Sequence, residues 1–155
     1  LFNNINVKKR GIGGDDTDGV LERLSEVTES KPKKIFILIG TNDLAYGKTA
    51  EHVITNYRKI IEQIKKESPN TEVYVQSVLP VDDGLHYTRP NTEIAKINKQ
   101  LLELVNEYKL TYIDLWKEFK DENGKLNYDY SIDGLHLNAK GYSIWRDIIN
   151  NYITE

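Results

Sequence analysis

The 155 residues contain no cysteine and no methionine. Without cysteine there is no disulfide, no thiolate chemistry and no zinc–cysteine site, and the redox compartment is left open. No apolar run approaches the roughly 18 residues that a membrane span needs. No charged-then-apolar leader is visible, so no signal peptide is read. A chain that begins Leu1-Phe2-Asn3 is expected to be processed or truncated, and an export signal would be lost with its start. A cytoplasmic and an exported soluble protein both stay open. Basic charge is also short: 21 Lys and Arg against 24 Asp and Glu leave a formal net charge of -3. That gives no basic face for nucleic acid or for anionic lipid.

What is present is ordinary for a soluble globular chain, with 39% hydrophobic and 29% charged residues, enough to bury a sizeable core in one α/β domain over residues 1–155. Short apolar runs alternate with longer segments of 3.6-residue period, which predicts βα units around a parallel sheet. Asn6–Lys9 reads as a short strand and Ile35–Ile39, apolar throughout, as a strand buried on both faces. Val73–Leu79 and Tyr112–Asp114 are the next two strands. Helices are expected along Val20, Leu21, Leu24 and Val27; over Ala50–Lys66 with Val53, Tyr57, Ile60, Ile61 and Ile64 inward; and along Ile94, Ile97, Leu101, Leu104, Val105 and Tyr108. Trp116 and Phe119 suggest a short helical turn and Asn123-Gly124 a tight turn. The last helix starts at an Asn138 cap and buries Tyr142, Trp145, Ile148, Ile149 and Tyr152.

In open parallel sheets ligands bind beyond the carboxyl ends of the strands. Four polar clusters fall there: Gly13–Asp16, Gly40–Asp43, Pro80–Pro90 and Asp133–His136. Any one of them is explained by turn and cap chemistry alone; together they resemble a site. Asp133 precedes His136 by three residues across Gly134. That spacing lets the carboxylate accept from imidazole Nδ1–H, hold the tautomer and stabilise the imidazolium formed when Nε2 takes a proton. Asn42 follows an apolar strand and a Gly40-Thr41 bend, where its amide can donate to a developing oxyanion; the plainer reading is a cap. Gly14 lets a backbone N–H approach a ligand closely, or simply makes a tight turn.

Together these residues resemble the SGNH, or GDSL-like, lipases and acylhydrolases. Arg10-Gly11-Ile12-Gly13-Gly14-Asp15-Asp16-Thr17 is similar to that family's second block and implies Gly14 N–H as an oxyanion donor. Gly40-Thr41-Asn42-Asp43 resembles the third block and implies Asn42 as the side-chain donor. Asp133-Gly134-Leu135-His136-Leu137-Asn138 resembles the fifth and implies Asp133 and His136 as two members of a Ser-His-Asp triad. Val78-Leu79-Pro80 resembles the less specific fourth block. The resemblance runs along essentially all 155 residues. It implies a three-layer α/β/α sandwich, flavodoxin-like, with a parallel sheet in the order 2-1-3-4-5. It implies no cofactor and no metal, and short acyl-ester substrates such as acetylated carbohydrate or short-chain lipid esters. The Asp82–Arg89 loop, with His86 and Tyr87, is a candidate for lining the substrate; His52 reads as a helix-surface residue.

The first block, Gly-Asp-Ser at the end of the first strand, does not occur. The serines are Ser25, Ser30, Ser68, Ser77, Ser131 and Ser143, none in that context, so no nucleophile is assigned. The first strand is expected to be missing from the sheet interior and to come from a preceding N-terminal segment, a separate chain or a second copy in a homo-oligomer. If the sheet closes up instead, Leu1-Phe2 is the tail of the first helix. A catalytically inactive relative or fragment that binds a ligand stays open. A response-regulator receiver is the other alternative, with Asp15-Asp16 as a magnesium-binding pair. It would leave Asp133-x-x-His136 unexplained and would need a lysine where Asp114-Leu115-Trp116 stands.

Overall fold

A computed structural model describes residues 6–153; Leu1-Phe2 lies outside the described residues. The elements are α1 (Thr17–Glu22), α2 (Leu24–Thr28), β1 (Lys34–Ile37), α3 (Thr41–Ala45), α4 (Ala50–Glu67), β2 (Glu72–Gln76), α5 (Asn91–Tyr108), β3 (Thr111–Ile113), α6 (Trp116–Phe119), a 3-10 turn at Tyr128–Tyr130 and α7 (Ala139–Ile153). The three strands form one parallel sheet in the order β1-β2-β3, with Lys34 opposite Glu72 and Tyr74 opposite Thr111.

Successive residues of β2 point to opposite faces. Val73 and Val75 enter a core built with Val53, Tyr57, Ile60, Ile61 and Ile64 of α4 and the apolar stripe of α5. Tyr74 enters a second core with Ile113, Phe119 and α7. There its ring stacks on Phe36 at 4.6 Å and meets Tyr152 edge-on at 5.7 Å. Helices thus lie on both faces of the sheet, the expected three-layer α/β/α arrangement. Helix α4 is capped by Thr49, whose hydroxyl accepts from His52 N–H at 3.2 Å, and α7 by Asn138, whose side chain accepts from Gly141 N–H at 3.0 Å. Each satisfies a donor that the first helical turn leaves free. Among the described residues no helix is long and apolar enough to cross a membrane.

Four expectations need correction. Asn6–Lys9 is not a strand; residues 6–10 have no neighbouring strand to take their N–H and C=O groups, and extended chain without a ladder is not a stable strand. Among the described residues the sheet therefore has three strands rather than four, the 3-4-5 part of the expected order. β1 is not buried on both faces: among the described residues it pairs with β2 alone, Ile35 and Phe36 are half-buried and Leu38 is exposed. The first helix breaks in two at Arg23, whose φ of -110° and ψ of 9° leave the helical region. Tyr142 is 47% exposed; the buried stripe of α7 runs through Gly141 and Ile149 instead.

Candidate active site

The loop after residue 10 turns tightly at Ile12–Asp15, closed by Asp15 N–H donating to Ile12 O at 3.3 Å. Gly14 sits in it at φ 77°, a left-handed conformation that favours glycine. Its carbonyl accepts from Tyr46 OH at 2.8 Å, and its N–H has no hydrogen-bond partner among the described residues. Asn42, in the first turn of α3, donates from Nδ2 to Asp15 O at 2.9 Å and accepts at Oδ1 from Arg89 Nη2 at 3.3 Å. Those two contacts orient the amide and tie it to the Gly14 turn.

Asp43 holds the same two loops together from beneath. Its side chain is fully buried. It accepts from Thr17 N–H at 3.1 and 3.3 Å and from the Thr17 hydroxyl at 2.5 Å. Burial pushes its carboxyl above the ordinary value, against the pull of the Thr17 donors. Asn56 Nδ2 donates to the Thr17 hydroxyl at 2.9 Å, extending the network into α4. Outside it, Lys48 bridges Asp16 at 2.7 Å and Asp18 at 2.5 Å, and His52, expected simply at a helix surface, lies 3.0 Å from Asp18. Arg23 pairs with Asp15. Both carboxylates of the Asp15-Asp16 pair are thus taken by cations, unlike the free acidic pair that a receiver needs. Among the described residues no group of three or more His, Asp or Glu is placed to hold a metal ion.

Asp133 and His136 meet. Imidazole Nδ1–H donates to Asp133 Oδ2 at 2.8 Å, while the backbone N–H groups of His136 and Leu135 donate to Oδ1 at 2.8 and 3.0 Å. The His136 backbone and ring donors hold the Asp133 carboxyl well below the usual range. His136 Nε2 has no protein partner among the described residues. The turn is braced on every side. The Ser131 hydroxyl accepts from Gly134 N–H at 2.8 Å and donates to His136 O at 3.0 Å. His86 Nε2 lies 2.9 Å from Asp133 O, its N–H donating. Gly134 has φ 80°, and a Cβ there would stand 2.8 Å from Asp82 Cβ. Asp82 N–H donates to Gly134 O at 2.7 Å. The Asp82 carboxylate is held at about 2 by Lys125, 2.7 Å away, and by Tyr128 OH.

A cavity of about 240 Å³ opens at the carboxyl ends of β1 and β2, lined by Ile12, Asp15, Leu38, Asn42, Val81 and Leu135 among others. Asp15 and Leu135 adjoin Gly14 and His136, so the three loops carrying the sequence-predicted residues converge on it. The serines do not. Ser77 accepts from the N–H groups of Leu115 and Trp116. Ser68 pairs with Thr71, Ser30 with Val27 O and Ser143 with Arg146, and Ser131 is consumed by its own turn. No serine hydroxyl bonds the His136 ring among the described residues. Sequence reasoning missed Thr17, Arg89 and the structural weight of Asp43 and Asp82. Asp43 was in view as the neighbour of Asn42 and Arg89 as the end of the Asp82–Arg89 loop, but nothing in the residue pattern paired Arg89 with Asn42.

Residues 2–144 match the model of the GDSL-like Lipase/Acylhydrolase family. The chain is 31% identical over 150 residues to the platelet-activating factor acetylhydrolase IB subunit alpha1 of Homo sapiens, covering 92% of this chain and 62% of that protein. It is 32% identical over 146 residues to the N-acylneuraminate cytidylyltransferase of Escherichia coli, covering 92% of this chain and 34% of that protein. The chain therefore spans between about a third and three fifths of these relatives. A GDSL-like lipase of Bacteroides thetaiotaomicron superposes with a TM-score of 0.83 at 25% identity, over 94% of this chain and 74% of that one. With its α/β/α layers and the order of its loops, the chain belongs to the GDSL-like lipase/acylhydrolase family, a family of ester hydrolases.

Proposed function

We propose that this chain carries the base and the oxyanion donors of a serine ester hydrolase. The observation that carries the reading is the Asp133–His136 pair at 2.8 Å, with Nε2 unbonded. His136 Nε2 takes the proton of a serine hydroxyl as that oxygen attacks the ester carbonyl, and Asp133 stabilises the imidazolium that forms. The oxygen of the tetrahedral intermediate receives Gly14 N–H and the second Nδ2 hydrogen of Asn42. The proton then passes to the leaving alcohol, and water releases the acyl group by the reverse sequence. Short acyl esters fit a cavity of this size, with acetylated carbohydrate or short-chain lipid esters as the class; the acetylhydrolase among the relatives supports an acetyl group as the acyl part.

The attacking serine is one that residues 1–155 do not carry. It sits on a strand that pairs with the open edge of β1, from a preceding segment, a separate chain or a second copy. The hydroxyl partners of Ser30, Ser68, Ser77, Ser131 and Ser143, and the lack of any serine bond to the His136 ring among the described residues, favour this over any nucleophile among the six. They also favour one second reading: that the 155 residues by themselves bind an ester without hydrolysing it. Fluorophosphonate labelling tests both. The 155-residue chain should stay unlabelled, and the chain extended by its encoded upstream residues should label at a serine in a Gly-Asp-Ser-like turn. Robust labelling of the 155-residue chain at any of its six serines would overturn the assignment.

A further inference from the structure

We propose that Arg89 forms, beside Asn42, a subsite for a negatively charged group, so that the esters taken here carry a carboxylate or phosphate close to the acyl group. This rests on the ester-hydrolase reading and narrows its substrate class. Among the described residues, two buried side-chain N or O atoms lack a hydrogen-bond partner: Arg89 Nε and Thr41 Oγ1. Buried polar atoms are otherwise almost always paired. Both orphans flank the same residue: Thr41 precedes Asn42 in the chain, and Arg89 Nη2 bonds the Asn42 amide. Thr41 also lines the cavity.

The charge of Arg89 is equally unmatched. Its own loop holds two acids, but Asp82 is taken by Lys125 and Tyr128, and Asp83 accepts from Asn91 N–H at 3.2 Å. Asp15, Asp16 and Asp133 are committed to Arg23, Lys48 and His136. No carboxylate among the described residues lies within ion-pair distance of Arg89. The one hydrogen bond of its guanidinium among the described residues, 3.3 Å to Asn42, is longer than the roughly 2.7–2.9 Å of a charge-assisted bond. A role confined to orienting Asn42 would use one N–H and leave Nε unexplained, and Asp15 O already fixes that amide. A guanidinium presents a planar fork that matches carboxylate and phosphate oxygens two at a time. Swinging from Asn42 onto such a group breaks no ion pair and relieves the shielded Nε.

Two measurements on the full protein decide it. In binding, N-acetyl-β-alanine and N-acetylethanolamine phosphate, which are uncleavable amide analogues of anionic acetyl esters, are titrated against neutral 3-acetamidopropanamide, with the Arg89 Nε–H signal followed by NMR. At least one anion should bind about 10- to 100-fold tighter than the neutral amide and shift that signal, and Arg89→Gln should collapse the difference. In turnover, the ratio of kcat/KM for 3-acetoxypropanoate or 2-acetoxyethyl phosphate over 3-acetoxypropanamide should exceed about ten and fall towards one in Arg89→Gln. Equal binding of all three analogues, or an anion preference that survives Arg89→Gln, overturns the subsite. Arg89-dependent anion binding with no hydrolysis of any ester would keep the subsite and overturn the ester-hydrolase reading.

Discussion

Asp43→Ala removes the group that ties the Asn42 loop to Thr17, just beyond the Gly14 turn. The carboxylate is fully buried and receives both the N–H and the hydroxyl of Thr17. Alanine leaves those two donors without an acceptor in the interior, at about 1–3 kcal/mol each. Part of that is offset, because burial already disfavours the charged carboxylate, so a net loss of about 2–4 kcal/mol is expected. Against a total stability of about 5–15 kcal/mol this is large. At about 2–4 °C per kcal/mol for a chain of this size, Tm should fall by about 4–16 °C. Thermal melts followed by circular dichroism measure it. Asp43→Asn keeps one oxygen for Thr17 but turns an NH2 towards its N–H, and should fall between wild type and alanine. In the active protein kcat should drop more than KM changes if the displaced groups, Gly14 and Asn42, are the proposed oxyanion donors, because such donors act on the transition state. The pH dependence has a definite sign. A carboxyl whose folded pKa is raised makes stability fall as pH rises from its ordinary value to the raised one. Asp43→Asn should remove that slope. If Asp43→Ala melts within about 1 °C of wild type with unchanged kcat, the tie between the loops is not what holds them.

Asn42→Ala in the active protein should lower kcat by about 10²–10³; unchanged turnover would remove Asn42 from the oxyanion site. Gly134→Ala must adopt φ 80° with its Cβ 2.8 Å from Asp82 Cβ, so urea unfolding should show a loss of about 2–4 kcal/mol. A loss under about 0.5 kcal/mol would mean that the turn shifts freely. Asp82, held at about 2, contributes stability that is complete above the ordinary carboxylate pKa and lost as pH falls through about 2. Asp82→Asn should therefore flatten the acid limb of urea midpoints between about pH 4 and pH 2, and an unaltered limb would place the acid sensitivity elsewhere.

Helices α4 and α5 were legible because a 3.6-residue apolar stripe reports directly which face is buried, and Val53 to Ile64 and Ile94 to Val105 are buried as that pattern requires. The apolar run Ile35–Ile39 misled for the opposite reason. Composition reports what a strand is suited to, while coverage depends on neighbours, and β1 has one among the described residues. Asn6–Lys9 failed as a strand on the same ground: ladder hydrogen bonds belong to pairs of strands, not to a segment. Tyr142 fitted the helical stripe, yet the close approach of Gly141 to Tyr130 O turns another line of α7 inward.

The same distinction runs through the site. Asp133 and His136 are three residues apart, and Asn138 caps the helix that follows it, so short-range pattern, with the family resemblance, foretold both contacts. The contacts that position these groups span 26 residues from Thr17 to Asp43, 47 from Asn42 to Arg89 and 43 from Asp82 to Lys125. No periodicity encodes such pairs; they exist because parallel strands bring successive loops to one edge of the sheet. Local motifs therefore named the groups suited to proton transfer and oxyanion binding. The residues that hold those groups in register, and the bond between Arg89 and Asn42, became visible only when the loops were seen side by side.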